Sequence, residues 1–123
     1  MNLLSRHQKF RQAYEKALVG NWKGGLESVS KHLERRKARG HLPLNATEAD
    51  LIQKGMGVLN SSDAMVYEYA AFEGMYFIVH QEWAVFFDES GLWDTVFPPD
   101  RPERYFTLTK GYRPIGKLIE LTK

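Results

Sequence analysis

The chain predicts an α+β fold, with N-terminal helices packed on a small antiparallel sheet built as a meander of hairpins. Three observations carry this expectation. Apolar side chains recur at helical spacing through the first 60 residues, and residues 64–109 then switch to short runs of aromatic and β-branched residues. Finally, Pro98-Pro99 stops the last clear run. A length of 123 residues fits one domain, read as a helical part over 1–60, a β-rich part over 64–109 and a C-terminal extension over 110–123.

The first helix is read from Phe10, Ala13, Tyr14, Ala17 and Leu18, which form one apolar stripe ended by Gly20. A second helix is expected after Gly24-Gly25, with Leu26, Val29 and Leu33 inward and Gly40 closing it. Thr47-Glu-Ala-Asp50 has the spacing of a capping box, with Asp in place of the usual Glu, and opens a third helix carrying Leu51, Ile52, Val58 and Leu59. Gly55 and Gly57 weaken that helix by roughly 1 kcal/mol each relative to Ala, or else let another backbone approach closely.

The strand runs are Ala64–Tyr69, Tyr76–His80, Trp83–Asp88 and Leu92–Phe97. Asp88-Glu-Ser-Gly91 joins the last two as a hairpin turn in which Gly91 is free to take a positive φ. Alternation would place Trp93, Thr95 and Phe97 on one face. Phe106–Thr109 and Ile115–Leu121 read equally well as edge strands or as a terminal helix.

Composition narrows the function classes. With 43% hydrophobic residues, the chain can bury a core without cross-links, and the absence of cysteine excludes disulfides and thiolate metal sites. No apolar run approaches the roughly 20 residues that span a bilayer, so no membrane partner is expected. Arg6, His7, Gln8 and Lys9 argue against a signal-peptide apolar region at the start. A cytoplasmic site of action is expected, and delivery from another cell as the tail of a larger exported protein stays open.

The net charge of +2 hides an asymmetry. Residues 1–42 hold ten Lys/Arg against three Glu, residues 43–100 hold Lys54 against ten acids, and residues 101–123 hold six Lys/Arg against two Glu. Two basic segments that met in space would attract phosphates; two separate solvated faces would merely offset the acidic middle.

The second helix carries the chemistry. His32, Arg35, Arg36 and Arg39 fall at i, i+3, i+4 and i+7 and share one face, read as distinct from the apolar one. Such a stripe repels itself unless an anion sits against it. Arginine matches phosphate geometry, and histidine moves protons near neutral pH. The plain alternative is a solvated basic helix. His41 follows closely enough to join the same surface, whereas His7 and His80 are weaker candidates. Thr95 is either an ordinary strand residue or a hydroxyl donor to a bound phosphate. After the double proline come Arg101, Arg104, Tyr105, Thr107, Thr109, Lys110, Tyr112 and Arg113, a mixture of cations, hydroxyls and rings that suits RNA or a partner-binding edge.

Several signatures are missing: a phosphate loop, His-Glu-x-x-His, a nucleophile elbow and a clustered pair of metal-binding acids. Metal-independent RNA cleavage needs none of them, because the substrate's own 2′-OH is the nucleophile. No cofactor or metal is therefore expected.

The order of elements resembles the barnase–EndoU–colicin–RelE ribonuclease superfamily, which includes tRNA-cleaving toxin domains of contact-dependent inhibition systems and related phage-encoded domains. The resembling part runs from about Leu26 to Phe106. It comprises Lys31-His32 on a helix, the helix Ala49–Leu59, the short strands, the hairpin from Trp83 to Pro99, and Tyr105. The resemblance implies a metal-independent ribonuclease, acting on RNA such as tRNA and paired with a cognate immunity protein or antitoxin. His32, Thr95, Tyr105 and, as the nearest match to a second histidine, His41 would form its active site. Lys31, Arg35, Arg36, Arg39 and Arg104 complete the expected substrate contacts. Two readings compete. One is a non-catalytic immunity protein or antitoxin using the acidic middle with Trp83, Phe86, Phe87 and Trp93; the other is an RNA-binding adaptor. An enzyme should hold His32 in a cleft beside Arg and Thr, whereas a binder would leave it exposed.

Overall fold

A computed structural model describes residues 5–71, 74–99 and 105–122. Three helices come first: α1 (Arg6–Ala17), α2 (Gly25–Ala38) and α3 (Glu48–Leu59). Five strands follow: β1 (Met65–Tyr69), β2 (Met75–His80), β3 (Trp83–Asp88), β4 (Trp93–Phe97) and β5 (Tyr112–Lys117). A short helix, α4 (Leu118–Leu121), ends the described chain. The α+β class and the packing of N-terminal helices on an antiparallel sheet are as the sequence predicts.

Helix starts are chemically specified. The Ser5 and Thr47 side chains accept from the backbone N–H groups of Gln8 and Asp50, and the Gln8 and Asp50 side chains accept from the cap N–H groups in return. Each cap satisfies two donors that a helix start otherwise leaves unpaired.

The sheet order is β4-β3-β2-β1-β5, with all neighbours antiparallel. β1 to β4 form the expected meander. β5 departs from it and pairs with β1 at the far edge, so residues 112–117 are part of the sheet. Pro114 fits there because an edge strand has a side on which no ladder donor is needed. Phe106–Thr109 is not a strand; the N–H groups of Lys110 and Tyr112 turn back to the Thr107 carbonyl.

One sheet face carries the helices. Phe10, Ala17, Val29, Leu33, Leu51, Leu59, Val66, Ile78, Val85, Phe87, Trp93 and Val96 share a single buried cluster. The other face carries a smaller aromatic cluster centred on Phe77, Val79, Ala84 and Phe106, with Phe86, Phe97, Tyr105 and Tyr112 against it. β2 is central and serves both clusters, which explains its unbroken apolar run Tyr76–Val79.

Three expectations on packing are corrected. Leu26 is 82% exposed, not inward, because it sits in the first turn of α2, beyond the reach of the core that takes Val29 and Leu33. Gly55 makes room for a side chain, not a backbone: a Cβ there would run into the Trp93 ring. Finally, Trp93, Thr95 and Phe97 do not share a face. The β3–β4 register pairs Phe87 with Trp93 and Phe86 with Thr95, leaving Asp94 as an extra residue. This bulge puts Trp93 and Val96 in the helix-side core, and Phe97 against the outer cluster.

The β4 edge is not left open. The Trp93 N–H donates to the Asn21 carbonyl, and the Lys23 N–H donates to the Trp93 carbonyl. Residues 21–23 thus extend the sheet in parallel before α2 begins, which blunts the edge and places α2 against β4 and α3.

Candidate functional site

A cleft of about 510 Å³ opens where α2, the β4 edge and the start of the C-terminal segment meet. One side is cationic, formed by His32, Arg35, Arg36, Arg39 and His41. The other is ring-lined and apolar, formed by Phe77, Phe97, Pro98, Pro99 and Tyr105, and Thr95 stands between the two. A volume of this size suits a small ligand or one unit of a polymer.

His32 and Thr95 meet at the centre. The Nδ1 of His32 is 3.3 Å from the Thr95 Oγ1. With the proton on Nδ1, the imidazole donates to Thr95, keeps the Nε2 lone pair free, and leaves the Thr95 hydroxyl proton available to a ligand. The Trp22 ring packs beside His32 at a centroid distance of 5.1 Å. Trp22 in turn packs on Trp93 at 5.8 Å, so the histidine rests on a ring anchored in the core. Burial is the main cause that pushes the His32 pKa below its ordinary value. The cations Arg35 and Arg36 push the same way, and Asp94 opposes them weakly. The imidazole is therefore neutral at neutral pH, as a proton acceptor must be.

The arginine arm is costly. Arg36 is only 5% exposed, its Nε has no partner, and burial beside Arg39 and Arg35 depresses its pKa. The expected separation of basic and apolar faces fails at this residue: Arg36 is three positions from Leu33 and is buried on the same flank as Leu33 and Val29. Among the described residues, Arg35, Arg36 and Arg39 make no ion pair with any acid. A buried guanidinium without a counter-charge is the state an anion relieves.

His41 reaches the cleft through the turn at Gly40, whose φ of +74° lets the chain reverse so that the His41 N–H donates to the Arg36 carbonyl. Its Nδ1 is buried without a partner, and burial together with Arg36 and Arg39 lowers its pKa. Tyr105 comes from the other side. Its ring lies 5.8 Å from Phe97 and 5.6 Å from Tyr112, whose phenol is pushed well above its ordinary value, mainly by burial.

The structure therefore brings seven expected residues together: His32, Arg35, Arg36, Arg39, His41, Thr95 and Tyr105. Lys31 does not line the cleft, because it is exposed on α2 one residue round the helix from His32. Arg101 and Arg104 lie outside the described residues. Arg113 pairs with the buried carboxylate of Glu68, at 2.7 Å. His7 is exposed on α1, and His80 pairs with Asp63 at 3.1 Å, away from the cleft. Sequence reasoning missed Phe77, Trp22 and the role of the double proline as a wall. A tryptophan inside the Gly-rich connection Asn21–Gly25 was the one available signal, since a large ring in a loop usually packs on something.

Among the described residues, no group of three or more His, Asp or Glu side chains is arranged to hold a metal ion, and no helix is long and apolar enough to cross a membrane. No protein-family model, curated protein or solved structure matches this chain.

Proposed function

We propose that the chain is a metal-independent endoribonuclease of the toxin kind that cleaves RNA by attack of a 2′-OH on the adjacent phosphorus. The observation that carries this reading is the His32–Thr95 pair set in a cleft whose three arginines pair with no carboxylate among the described residues. The chemistry follows from the groups present. Neutral His32 accepts the 2′-OH proton through Nε2 as the oxygen attacks phosphorus. Arg35, Arg36 and Arg39, with the Thr95 hydroxyl, bind the non-bridging oxygens as charge develops on them. The bond to the 5′-oxygen breaks, and that oxygen takes a proton from the Tyr105 hydroxyl. The products are a 2′,3′-cyclic phosphate and a 5′-hydroxyl. No step requires a metal, and transfer RNA is a substrate that the resemblance suggests.

The test is cleavage of an unstructured RNA by the purified chain in EDTA, with the product ends identified. General acid–base help is worth on the order of 100- to 10,000-fold, so His32→Ala should lose that much rate while keeping its circular dichroism. Cleavage that needs added metal, or full activity in His32→Ala, overturns the mechanism. A wild-type chain that cuts no RNA, and whose expression leaves host growth unaffected, overturns the enzyme reading and favours a non-catalytic binder.

A further inference from the structure

The cleft has two chemically different sides, and phosphate chemistry occupies only one of them. Among the described residues, Phe97, Pro98, Pro99, Tyr105 and Phe77 form a wall that carries no charged group. Phe97 and Tyr105 are only partly buried, so their rings remain available to a ligand. The wall is stiff. Each proline fixes its own φ, Phe97 continues the paired strand β4, and Tyr105 is braced by Phe97 and by Phe106, at 4.8 Å. Opposite it stands the arginine arm, with the buried and unpaired Arg36 Nε. A ligand that satisfies both sides has a flat apolar face joined by a short link to an anion. A nucleotide has that form, and only when its base is unpaired and unstacked is the face free to meet the wall.

We infer that the apolar side of the cleft is a nucleobase subsite, so that the protein binds an unpaired nucleotide with its base on the Phe97–Tyr105 wall and its phosphate on Arg36. This deepens the ribonuclease reading and rests on it. Stacking on a ring accepts every base, and among the described residues the wall offers Tyr105 as its one polar side chain, so the subsite selects single strands over duplexes more than it selects sequence. Purines, having more ring area, bind tighter than pyrimidines.

The experiment measures dissociation constants of the wild-type chain for adenosine 3′-monophosphate, ribose 5-phosphate and inorganic phosphate at one low salt concentration. Base stacking on a protein ring corresponds to roughly 5- to 150-fold in affinity, so the nucleotide should bind tighter than ribose 5-phosphate by a factor in that range. In Phe97→Leu, which keeps an apolar side chain but removes the ring, that ratio should fall towards one. A short unstructured RNA should also outcompete the same sequence held in a duplex. Equal binding of all three small ligands overturns the subsite while leaving the phosphate site standing. If none of them binds, the ribonuclease reading falls with it. The wild-type ratio decides the matter even if Phe97→Leu folds poorly.

Discussion

Replacing Gly55 and Gly57 of α3 with alanine should shift stability in opposite directions. In a helix interior the exchange is ordinarily worth about 1 kcal/mol in favour of alanine. At Gly57 nothing lies within 4 Å of the added Cβ, so that gain should appear nearly whole. At Gly55 the Cβ would run into the Trp93 ring and lie 3.1 Å from a Val96 methyl, well inside ordinary carbon contact. Trp93 cannot yield easily. It is fully buried, its indole N–H donates to the Ala17 carbonyl at 2.8 Å, and Trp22 packs on its ring. Overpacking of this kind costs about 1–3 kcal/mol, which cancels or outweighs the helix gain. Because the propensity term is common to both variants, the difference between them isolates the packing cost. It should reach about 1–3 kcal/mol, or roughly 4–12 °C in Tm for a chain of this size. Denaturant titration and calorimetry would measure it. A Gly55→Ala variant at least as stable as Gly57→Ala would refute the claim that Trp93 packs on this glycine.

Two further outcomes follow from the site's electrostatics. Burial first, and then neighbouring arginines, hold the His32 and His41 pKa values below the ordinary imidazole value of about 6.5, so the unfolded chain binds more protons just below that pH. Stability should be full above about pH 6.5 and fall as pH drops through the folded-state values. A His32→Gln, His41→Gln double variant should flatten the Tm–pH curve between pH 7.5 and 5, and an unchanged slope would contradict this. Arg36→Met removes a buried cation that pairs with no acid among the described residues but keeps an apolar stem, so its Tm at low salt should match or exceed the wild type while RNA binding weakens and loses part of its salt dependence. A marked loss of stability would show that Arg36 has a structural partner.

Much of the fold was legible because local chemistry and global packing agree. The Thr47 capping box, the helix stripes and the Trp83–Phe97 hairpin are short-range signals, and each is realised within a residue or two of its expected bounds. What was not legible depends on long-range pairing. The placement of β5 beside β1 is decided by the far edge of the sheet, and Tyr112–Lys117 carries no local pattern that names its partner. The site was half legible for the same reason. Helical spacing places His32, Arg35, Arg36 and Arg39 together, and a single turn brings back His41. Thr95 is legible as a candidate hydroxyl, while alternation argues for the wrong face. Phe77 enters the cleft from the middle of the sheet, which no spacing rule could foresee.

The Asp94 bulge explains how the two halves of the site meet. In a regular strand, Trp93 and Thr95 would point the same way, and burying one would bury the other. Because Asp94 and Thr95 both oppose Phe86, the strand keeps Trp93 and Val96 in the core while turning Thr95 towards the cleft. The Asp94 carboxylate is 3.5 Å from the Lys23 ammonium, which also pairs with Asp88 at the hairpin turn. Lys23 lies in the segment hydrogen-bonded to Trp93, immediately before α2 begins and so two helical turns before His32. One cluster of charges therefore ties down the strand that aims the hydroxyl and the start of the helix that carries the imidazole. The contact of 3.3 Å between residues 63 apart in sequence thus rests on the shared packing of Val29, Leu33, Trp93 and Val96 in one core cluster, with this charge cluster added at its end.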